Sequence, residues 1–326
     1  AEDGIRDLVR SRGLGDVYKR QKVTVDIIEA ADNLKVVGRA GIGVDNVDIP
    51  AASKRGIVVM NTPGGNTITT AEHSIAMMLS LSRNIPQATQ SMRQGLWEKK
   101  KFIGKEVFNK TLGVLGLGNI GKIVTLRAQG LRMNVIAHDP FISQEAVEKL
   151  GVELVELDEL FARADIITIH SPKTDETLNL LNKDAFSKMK RGVLVVNCAR
   201  GGIVNEDDLL WALNEGIVGG AALDVFSKEP PDSSPLMEHE RVVLTPHLGA
   251  STEEAQVNVA VAVAEQIVDY LTRGIVRNAL NMPSVSPEAA TEIQPYIHLA
   301  EILGSFLSQL GLPGLTEVNI EYLGEV

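Results

Sequence analysis

Residues 111–122 read TLGVLGLGNIGK, an apolar run that leads into three glycines, Gly116, Gly118 and Gly121. The run predicts a buried β-strand, and the residues after Gly118 predict the first turn of a helix. Glycines at such a turn let the backbone approach a pyrophosphate, while the helix N-terminus supplies free N–H groups and a positive dipole. The segment therefore predicts a dinucleotide-binding α/β domain.

The rest of the chain continues this alternation of apolar strands and amphipathic helices. After 111–118, strands are predicted at 135–138, 166–170, 193–197, 220–224 and 242–245, with helices near 119–131, 143–150, 158–163 and 205–215. Before it, the predicted order is helix 23–31, strand 34–40, helix 49–56, strand 57–61 and helix 69–82. Such alternation is typical of a doubly wound parallel sheet. An irregular arm around Trp97 separates the two series and predicts two different sheets.

The predicted domain limits follow from these changes of pattern. Residues 64–247 form the dinucleotide-binding domain, and 22–63 with 248–283 form a second α/β domain. Ser251, with Glu254 three residues later, predicts a capping box that opens a helix running to about Arg273. Residues 284–326, which follow a linker starting at Pro283, predict the start of a further α+β domain with a helix at 291–310 and a strand at 318–326.

The first 21 residues lack the apolar periodicity of the rest of the chain. They are rich in Arg and Gly, which favours translated adaptor sequence, the alternative being a native tail. We therefore leave residues 1–21 out of the fold prediction.

Bulk properties narrow the class of protein and its partners. The 326 residues carry a formal net charge of −10 and no block of Lys or Arg, which argues against a nucleic-acid partner. The single cysteine, Cys198, cannot form an intramolecular disulfide, and no apolar run has the length of a membrane-spanning helix. We expect a cytoplasmic protein that binds a small-molecule substrate.

An acidic residue follows the next predicted strand after the glycine turn. Asp139 stands at the distance, about 20 residues from the glycines, at which a carboxylate accepts hydrogen bonds from the ribose 2′-hydroxyl of a dinucleotide. The same charge repels a 2′-phosphate. The sequence therefore predicts NAD rather than NADP.

Three further residues follow predicted strands at the sheet edge where such folds bind ligands. Arg200 follows strand 193–197, Glu229 follows strand 220–224, and His247 follows strand 242–245. A guanidinium can hold a carboxylate bidentately, and a histidine beside a carboxylate can transfer a proton to or from a reacting oxygen. Taken alone, each of the three residues could equally be a surface or structural group. Together they predict hydride transfer on a 2-oxo or 2-hydroxy acid.

Two other kinds of site are not predicted. No HExxH or comparable spacing indicates a metal site, although His170 and Asp224 lie near the same predicted edge. Cys198 has no basic neighbour in sequence, so we expect a buried structural thiol.

With these residues in view, the chain resembles the D-isomer-specific 2-hydroxyacid dehydrogenase family. The resemblance covers roughly 22–326 and depends on GRAGIGVDNVD (38–48), NTPGGNT (61–67), GVLGLGNIGK (113–122), NCARGGIVNEDDL (197–209), ALDVFSKEPP (222–231) and TPHLGAST (245–252). It implies a Rossmann domain inserted in a flavodoxin-like substrate domain. The continuation past Pro283 is similar to members that oxidise D-3-phosphoglycerate and append an intervening and a regulatory domain, which implies 3-phosphoglycerate as the substrate.

The resemblance also implies roles for individual residues. Arg200 would bind the substrate carboxylate, Glu229 and His247 would form the acid–base pair, and Arg39, Gly41 and Asn66 would help hold the phosphorylated substrate. NAD would contact Thr70, Gly116, Gly118, Asn119, Ile120, Gly121, Asp139, Thr168, His170, Pro172, Cys198, Ala199 and Asp224. The arm around Trp97 and Phe102 would support a homodimer, or a homotetramer built from it.

Other functions remain open at this point. The same residues fit a hydroxypyruvate or glyoxylate reductase of this family, an NAD-sensing corepressor-like binding protein, or an inactive fragment. Family members carry about three further strands of the substrate domain before the position of Lys22, so we expect this chain to keep the dinucleotide fold but to have little or no turnover.

Overall fold

A computed structural model describes residues 22–282 and 287–309. The described residues divide into two compact units, one of which is Pro63–Val259. The other contains the described residues before Pro63 and from Ala260 onward. The sequence had placed these limits at 64 and 248. The predicted adaptor segment, the linker at Pro283 and the strand at 318–326 lie outside the described residues.

The unit Pro63–Val259 is built on a seven-stranded parallel sheet. Its strands are β3 (Thr111–Leu115), β4 (Asn134–His138), β5 (Glu153–Leu154), β6 (Ile166–Ile169), β7 (Val193–Asn197), β8 (Val218–Leu223) and β9 (Val242–Leu244). Their order across the sheet is β5-β4-β3-β6-β7-β8-β9, and every pair is parallel. The chain therefore reverses direction across the sheet between β3 and β6, which confirms the doubly wound Rossmann fold.

Helices cover both faces of this sheet. They are α3 (Thr67–Ser82), α4 (Ile85–Arg93), α5 (Asn119–Gly130), α6 (Gln144–Leu150), α7 (Leu157–Arg163), α8 (Lys183–Ser187), α9 (Glu206–Asn214) and α10 (Pro235–Glu238). In β7, Val193 and Val195 pack into the core on one face, whereas Leu194 and Val196 pack into the core on the other. Because both faces are buried, the strand is apolar from Val193 to Val196, as the sequence pattern indicated.

The other unit contains a small parallel sheet. Strands β1 (Val36–Arg39) and β2 (Val58–Asn61) pair in parallel, and helices α1 (Val25–Ala30) and α2 (Ile49–Lys54) accompany them. Helix α11 (Glu253–Arg273) continues into this unit, followed by α12 (Pro287–Gln309). A Cβ at Gly38 would lie 2.5 Å from the Val263 side chain, so β1 packs directly against α11.

The structure corrects two details of the predicted elements. Residues 85–93 form helix α4, for which the sequence predicted no element. The Thr252 hydroxyl caps α11 and accepts from the Ala255 N–H at 3.2 Å. The predicted Ser251 cap requires a helix that begins at Thr252, whereas α11 begins at Glu253. Within the described residues, no helix combines the length and apolar character needed to cross a membrane.

Candidate active site

The glycine turn joins β3 to α5 in a geometry that requires small residues. A Cβ at Gly121 would lie 2.0 Å from the Gly116 carbonyl oxygen, so the start of α5 packs directly on the end of the strand. Gly116 has a φ of +94°, which favours glycine. Gly118, by contrast, is exposed, and a Cβ there would meet nothing within 4 Å. The turn is thus tight on its inner side and open at Gly118, beside exposed Asn119 and half-buried Ile120.

Asp139 lies directly after β4 and faces this turn. Its Oδ2 accepts from the Leu117 N–H at 2.7 Å, and its Oδ1 accepts from the Phe141 N–H at 2.9 Å. Each carboxylate oxygen can accept two hydrogen bonds, so both keep acceptor capacity for a hydroxyl. The half-buried carboxylate is therefore held beside the glycine turn and remains able to bind a ligand.

The end of β6 adjoins the same turn at the point where the strand order reverses. A Cβ at Gly116 would lie 2.9 Å from the backbone nitrogen of Ser171, the residue after His170. His170 Nε2 is 2.9 Å from the hydroxyl of buried Thr168, and burial lowers the pKa of His170 to about 3. The ring is therefore neutral at pH 7. Pro172, which is exposed, continues this edge.

Arg200 lies in a loop after β7 that the strand itself positions. The Asn197 side chain donates to the Arg200 carbonyl at 3.0 Å and accepts from the Ala199 N–H at 3.0 Å. The guanidinium is half-buried and donates to the Ala199 carbonyl at 2.7 Å. A Cβ at Gly201 would lie 1.8 Å from the Phe226 carbonyl oxygen, so the loop after β7 lies directly against the loop after β8.

Glu229 and His247 form a direct hydrogen-bonded pair. The distance from Glu229 Oε2 to His247 Nδ1 is 2.6 Å, and Glu229 Oε1 also accepts from the Phe226 N–H at 3.1 Å. Burial opposes ionisation of Glu229, but the His247 side chain outweighs it and holds the pKa of the carboxyl below its ordinary value. Because Nδ1 faces the Glu229 carboxylate, Nε2 is the ring nitrogen directed away from Glu229.

Asp224 holds the backbone that carries His247. Its carboxylate is 0% exposed, and it accepts from the N–H groups of Leu248 at 2.6 Å and Gly249 at 2.8 Å. The His247 N–H donates to the Asp224 carbonyl at 2.9 Å. His247 has a φ of +56°, a left-handed conformation that is costly for a non-glycine residue and persists only when its surroundings impose it. Asp224 supplies that constraint.

Two predicted residues lie near the N-terminus of α3. Asn66 precedes the helix, is 8% exposed, and has a side-chain Oδ1 to which no described residue donates. A buried polar atom normally has a partner, so this oxygen is suited to a bound ligand. Thr70 is buried, and its methyl group would contact a Cβ at Gly249 at 3.4 Å.

Cys198 is buried beneath this region. Burial, with a further effect of the Asp224 charge, raises the pKa of the thiol to about 12. It is therefore a thiol rather than a thiolate at pH 7, which does not favour nucleophilic chemistry. Over the described ranges, no group of three or more His, Cys, Asp or Glu side chains is arranged to hold a metal ion.

Arg39 and Gly41 belong to the other unit. Arg39 ends β1, and its guanidinium donates to the Ala40 carbonyl at 2.8 Å. A Cβ at Gly41 would lie 1.8 Å from Arg39 Nη1, so only glycine allows the guanidinium to occupy this position. The Gly41 N–H donates to the Thr62 hydroxyl at 2.7 Å.

Sequence reasoning missed His73 and Thr245. The Thr245 hydroxyl is 2.6 Å from Asp224 Oδ1, and His73 Nε2, on α3, is 3.2 Å from the same oxygen. Both side chains therefore contact the carboxylate that holds the His247 loop. A histidine in the middle of a helix gives no sequence signal for such a contact.

The parallel sheet, its reversal of strand order and the glycine turn facing Asp139 define a dinucleotide-binding protein of the Rossmann class. Residues 75–249 match the family described as D-isomer specific 2-hydroxyacid dehydrogenase, NAD binding domain. The chain belongs to this family, and NAD is its cofactor.

Three curated relatives share one description. The chain is 54% identical over 289 residues to a D-3-phosphoglycerate dehydrogenase of Synechocystis sp., with 89% of this chain and 52% of that protein covered. It is 53% identical to one of Archaeoglobus fulgidus, with 90% and 56% covered, and 47% identical to one of Bacillus subtilis, with 95% and 59% covered. The chain thus spans little more than half the length of these relatives.

Solved structures agree on the fold. A glyoxylate reductase from Paecilomyes thermophila superimposes with a TM-score of 0.75 at 31% identity, with 79% of each chain covered. An NAD-dependent formate dehydrogenase from Staphylococcus aureus in complex with NAD gives 0.74 at 34% identity, with 81% of this chain and 80% of that chain covered.

Proposed function

We propose that the protein oxidises D-3-phosphoglycerate to 3-phosphohydroxypyruvate with NAD, the first step of L-serine biosynthesis. The observation that carries this proposal is the 2.6 Å hydrogen bond between Glu229 and His247, on loops that follow adjacent strands of the NAD-binding sheet. The names of the curated relatives support the choice of substrate.

The glycine turn and Asp139 fit the cofactor. The pyrophosphate would lie against exposed Gly118, where the first N–H groups of α5 and the helix dipole favour a negative charge. Asp139 would bind the adenine ribose through its unused acceptor capacity, as its position after β4 predicts. Thr168, His170 and Pro172 would line the nicotinamide side, with Thr70, Cys198, Ala199 and Asp224 behind it. NAD bound in this way supplies the acceptor for the hydride of the substrate C2.

Arg200 and the His–Glu pair would handle the substrate. Arg200 would hold the substrate carboxylate and so fix the position of C2, because a guanidinium binds a carboxylate in a fixed fork. His247 would take the proton of the 2-hydroxyl at Nε2 as the carbonyl forms. Glu229 would keep Nδ1 protonated and would stabilise the imidazolium, which requires Glu229 to be ionised, as its lowered pKa favours.

The far end of the substrate needs separate groups. Asn66 has a buried side-chain oxygen without a described donor and would bind a substrate hydroxyl. Arg39 and Gly41 would bind the phosphate, for which a guanidinium is the suitable partner. These assignments follow the family resemblance, and the orphaned Asn66 oxygen supports one of them.

A turnover assay tests the proposal directly. NADH formation or consumption is followed by absorbance with 3-phosphoglycerate, hydroxypyruvate and glyoxylate in parallel. We expect 3-phosphoglycerate to be the preferred acid, and His247→Asn to lower kcat by about 100-fold or more while the NADH affinity is kept. His239→Asn is the matched control, because the His239 ring accepts from the Arg241 N–H at 3.2 Å and takes no part in the Glu229–His247 pair. Absence of turnover with all three acids, both in this chain and in a chain completed with an N-terminal substrate domain, while NADH still binds, would contradict the proposal.

A glyoxylate reductase is the second candidate. The observation that favours it is the superposition on the Paecilomyes thermophila enzyme over 79% of the chain. Preference for glyoxylate or hydroxypyruvate in the same assay would select this reductase activity over the first choice.

We also propose that the chain forms a homodimer or a homotetramer through the arm after α4. Trp97 is 80% exposed and Ile103 is 79% exposed, which is unusual for large apolar side chains. Phe102 lies between them, half-buried, with Lys101 Nζ 6.0 Å from its ring. A sedimentation experiment on Trp97→Glu, compared with the wild-type chain, tests whether this arm forms the interface.

A further inference from the structure

His73 lies where helix α3 meets the buried Asp224 carboxylate. Its Nε2 is 3.2 Å from Asp224 Oδ1 and 3.2 Å from the Thr245 hydroxyl. The His73 side chain is 19% exposed, and the Asp224 side chain is 0% exposed. No step assigned above to the acid–base pair, the substrate or NAD uses His73.

The hydrogen positions in this cluster are determined by its chemistry. The Thr245 hydroxyl has one proton, and its short 2.6 Å contact with the carboxylate requires that it donate there. Its oxygen can then accept from His73. An Nε2 without a proton would direct a lone pair at a carboxylate and a hydroxyl oxygen at once, so His73 carries its proton on Nε2 and donates.

His73 therefore supports the set of groups around Asp224. The carboxylate accepts from Thr245 and from the N–H groups of Leu248 and Gly249, and His73 Nε2 lies 3.2 Å from Oδ1 and 3.2 Å from the Thr245 hydroxyl oxygen. Burial disfavours the charged form of Asp224. The contact with His73 contributes most among those that outweigh burial and keep the pKa of Asp224 below its ordinary value. A buried carboxylate that loses a donor becomes costly, and its remaining partners rearrange to compensate.

Those remaining partners include the backbone of the catalytic loop. The same carboxylate oxygen that faces His73, Oδ1, also accepts from the Leu248 N–H, one residue after His247. His247 is held at a φ of +56° and makes a 2.6 Å contact with Glu229. A shift of Oδ1 thus acts on the backbone that aims the His247 ring.

We propose that His73 is a positioning residue that holds the His247 imidazole in its catalytic orientation through Asp224 and Thr245. The proposal deepens the function proposed above and rests on it where turnover is the readout. None of the contacts assigned above to the substrate or to NAD is made by His73 itself, so we expect its loss to act mainly on the chemical step.

Substitutions at position 73 test this with a rescue. His73→Gln keeps an N–H donor near the Nε2 position, His73→Asn is polar but too short to reach, and His73→Leu is apolar. We expect Leu and Asn to lower kcat by about 10-fold or more, with NADH affinity from fluorescence titration unchanged, and Gln to recover most of kcat. If His73 had a purely structural role, all three variants would lose thermal stability, and kcat would not differ between His73→Gln and His73→Asn. If Leu does not fold, the comparison of Gln with Asn decides the question.

Crystal structures of the variants give a readout that does not depend on turnover. In His73→Asn we expect the Glu229–His247 contact to lengthen beyond hydrogen-bond distance, and in His73→Gln we expect it to be kept. If neither the wild-type chain nor the completed chain turns over any of the acids, the function proposed above fails while this structural comparison still tests the positioning role. Wild-type kcat together with an unchanged 2.6 Å contact in His73→Asn would overturn it.

Discussion

Substitutions at two glycines of the same turn, Gly121 and Gly118, distinguish an effect on protein stability from an effect on cofactor binding. In Gly121→Ala the new Cβ would lie 2.0 Å from the Gly116 carbonyl oxygen, and both atoms are fixed to backbone. In Gly118→Ala the new Cβ meets nothing within 4 Å, and the φ of −66° is one that alanine adopts without strain. The first change disturbs the protein itself, whereas the second changes only the surface offered to a ligand.

The expected magnitudes follow from these distances. A carbon–oxygen contact is normally no closer than about 3.3 Å, so Gly121→Ala forces a backbone shift of roughly 1 Å, and overpacking of this kind costs about 1–3 kcal/mol. Gly118→Ala lowers the free energy of unfolding by about 1 kcal/mol or less, because alanine is a poorer N-cap than glycine but meets no steric conflict. It weakens NADH binding by roughly 10-fold or more, because the methyl group displaces a phosphate from N–H donors that each contribute about 1.5–3 kcal/mol.

Thermal unfolding and NADH fluorescence titration, performed on both variants and on Gly130→Ala, measure the two effects. Gly130 is a control because a Cβ there also meets nothing within 4 Å, at the far end of the same helix. We expect Gly121→Ala to lose both stability and NADH affinity, and Gly118→Ala to lose mainly affinity. Wild-type NADH affinity in Gly118→Ala would refute the assignment of this turn as the pyrophosphate site.

Three further predictions concern the residues around the candidate site. Asp224→Asn should lower the free energy of unfolding by about 3 kcal/mol at pH 7. A carboxylate whose pKa is lowered in the fold stabilises the fold above its ordinary pKa and loses that contribution as the pH falls. The difference from wild type, measured by urea titration, should therefore shrink below about pH 4. His170, whose pKa is lowered to about 3, should cost the fold roughly 1.4 kcal/mol per unit as pH falls below about 6.5, and His170→Gln should remove that slope from the stability profile. Gly201→Ala should reduce turnover at least about 10-fold. Its Cβ would lie 1.8 Å from the Phe226 carbonyl oxygen and would push the Arg200 loop away from the loop after β8. Turnover equal to that of Gly130→Ala would contradict this prediction.

Most strands could be predicted because they are short apolar runs bounded by turn residues, and their observed limits lie close to the predicted ones. Helix α4 was missed because it is only nine residues long and mainly polar, so the helical spacing of Ile85, Ala88 and Met92 is a weak signal. The cap of α11 was placed one residue early because Ser251 and Thr252 are adjacent hydroxyl residues, and only the backbone decides which of them accepts the hydrogen bond.

The candidate site was predictable to the extent that strand ends locate it. Glu229 and His247 follow adjacent strands, and the rule that ligands bind at the carboxyl ends of parallel strands brings them together. His73 follows no strand, and its contact with Thr245 joins residues 172 positions apart, so neither spacing nor periodicity indicates it. Long-range polar contacts of this kind depend on packing between a helix and a loop, which sequence patterns do not specify.

The register of the large sheet determines where the chain can tolerate inserted residues. Asn197, Leu223 and Leu244 are paired partners at one level across β7, β8 and β9, and the loops with Arg200, Glu229 and His247 start just beyond that level. If one residue were inserted within any of these strands, every later side chain of that strand would point to the opposite face of the sheet. An epitope tag placed at the opposite edge, in the turn at Gly216, would leave this alignment intact, which makes that turn the natural place to label the protein.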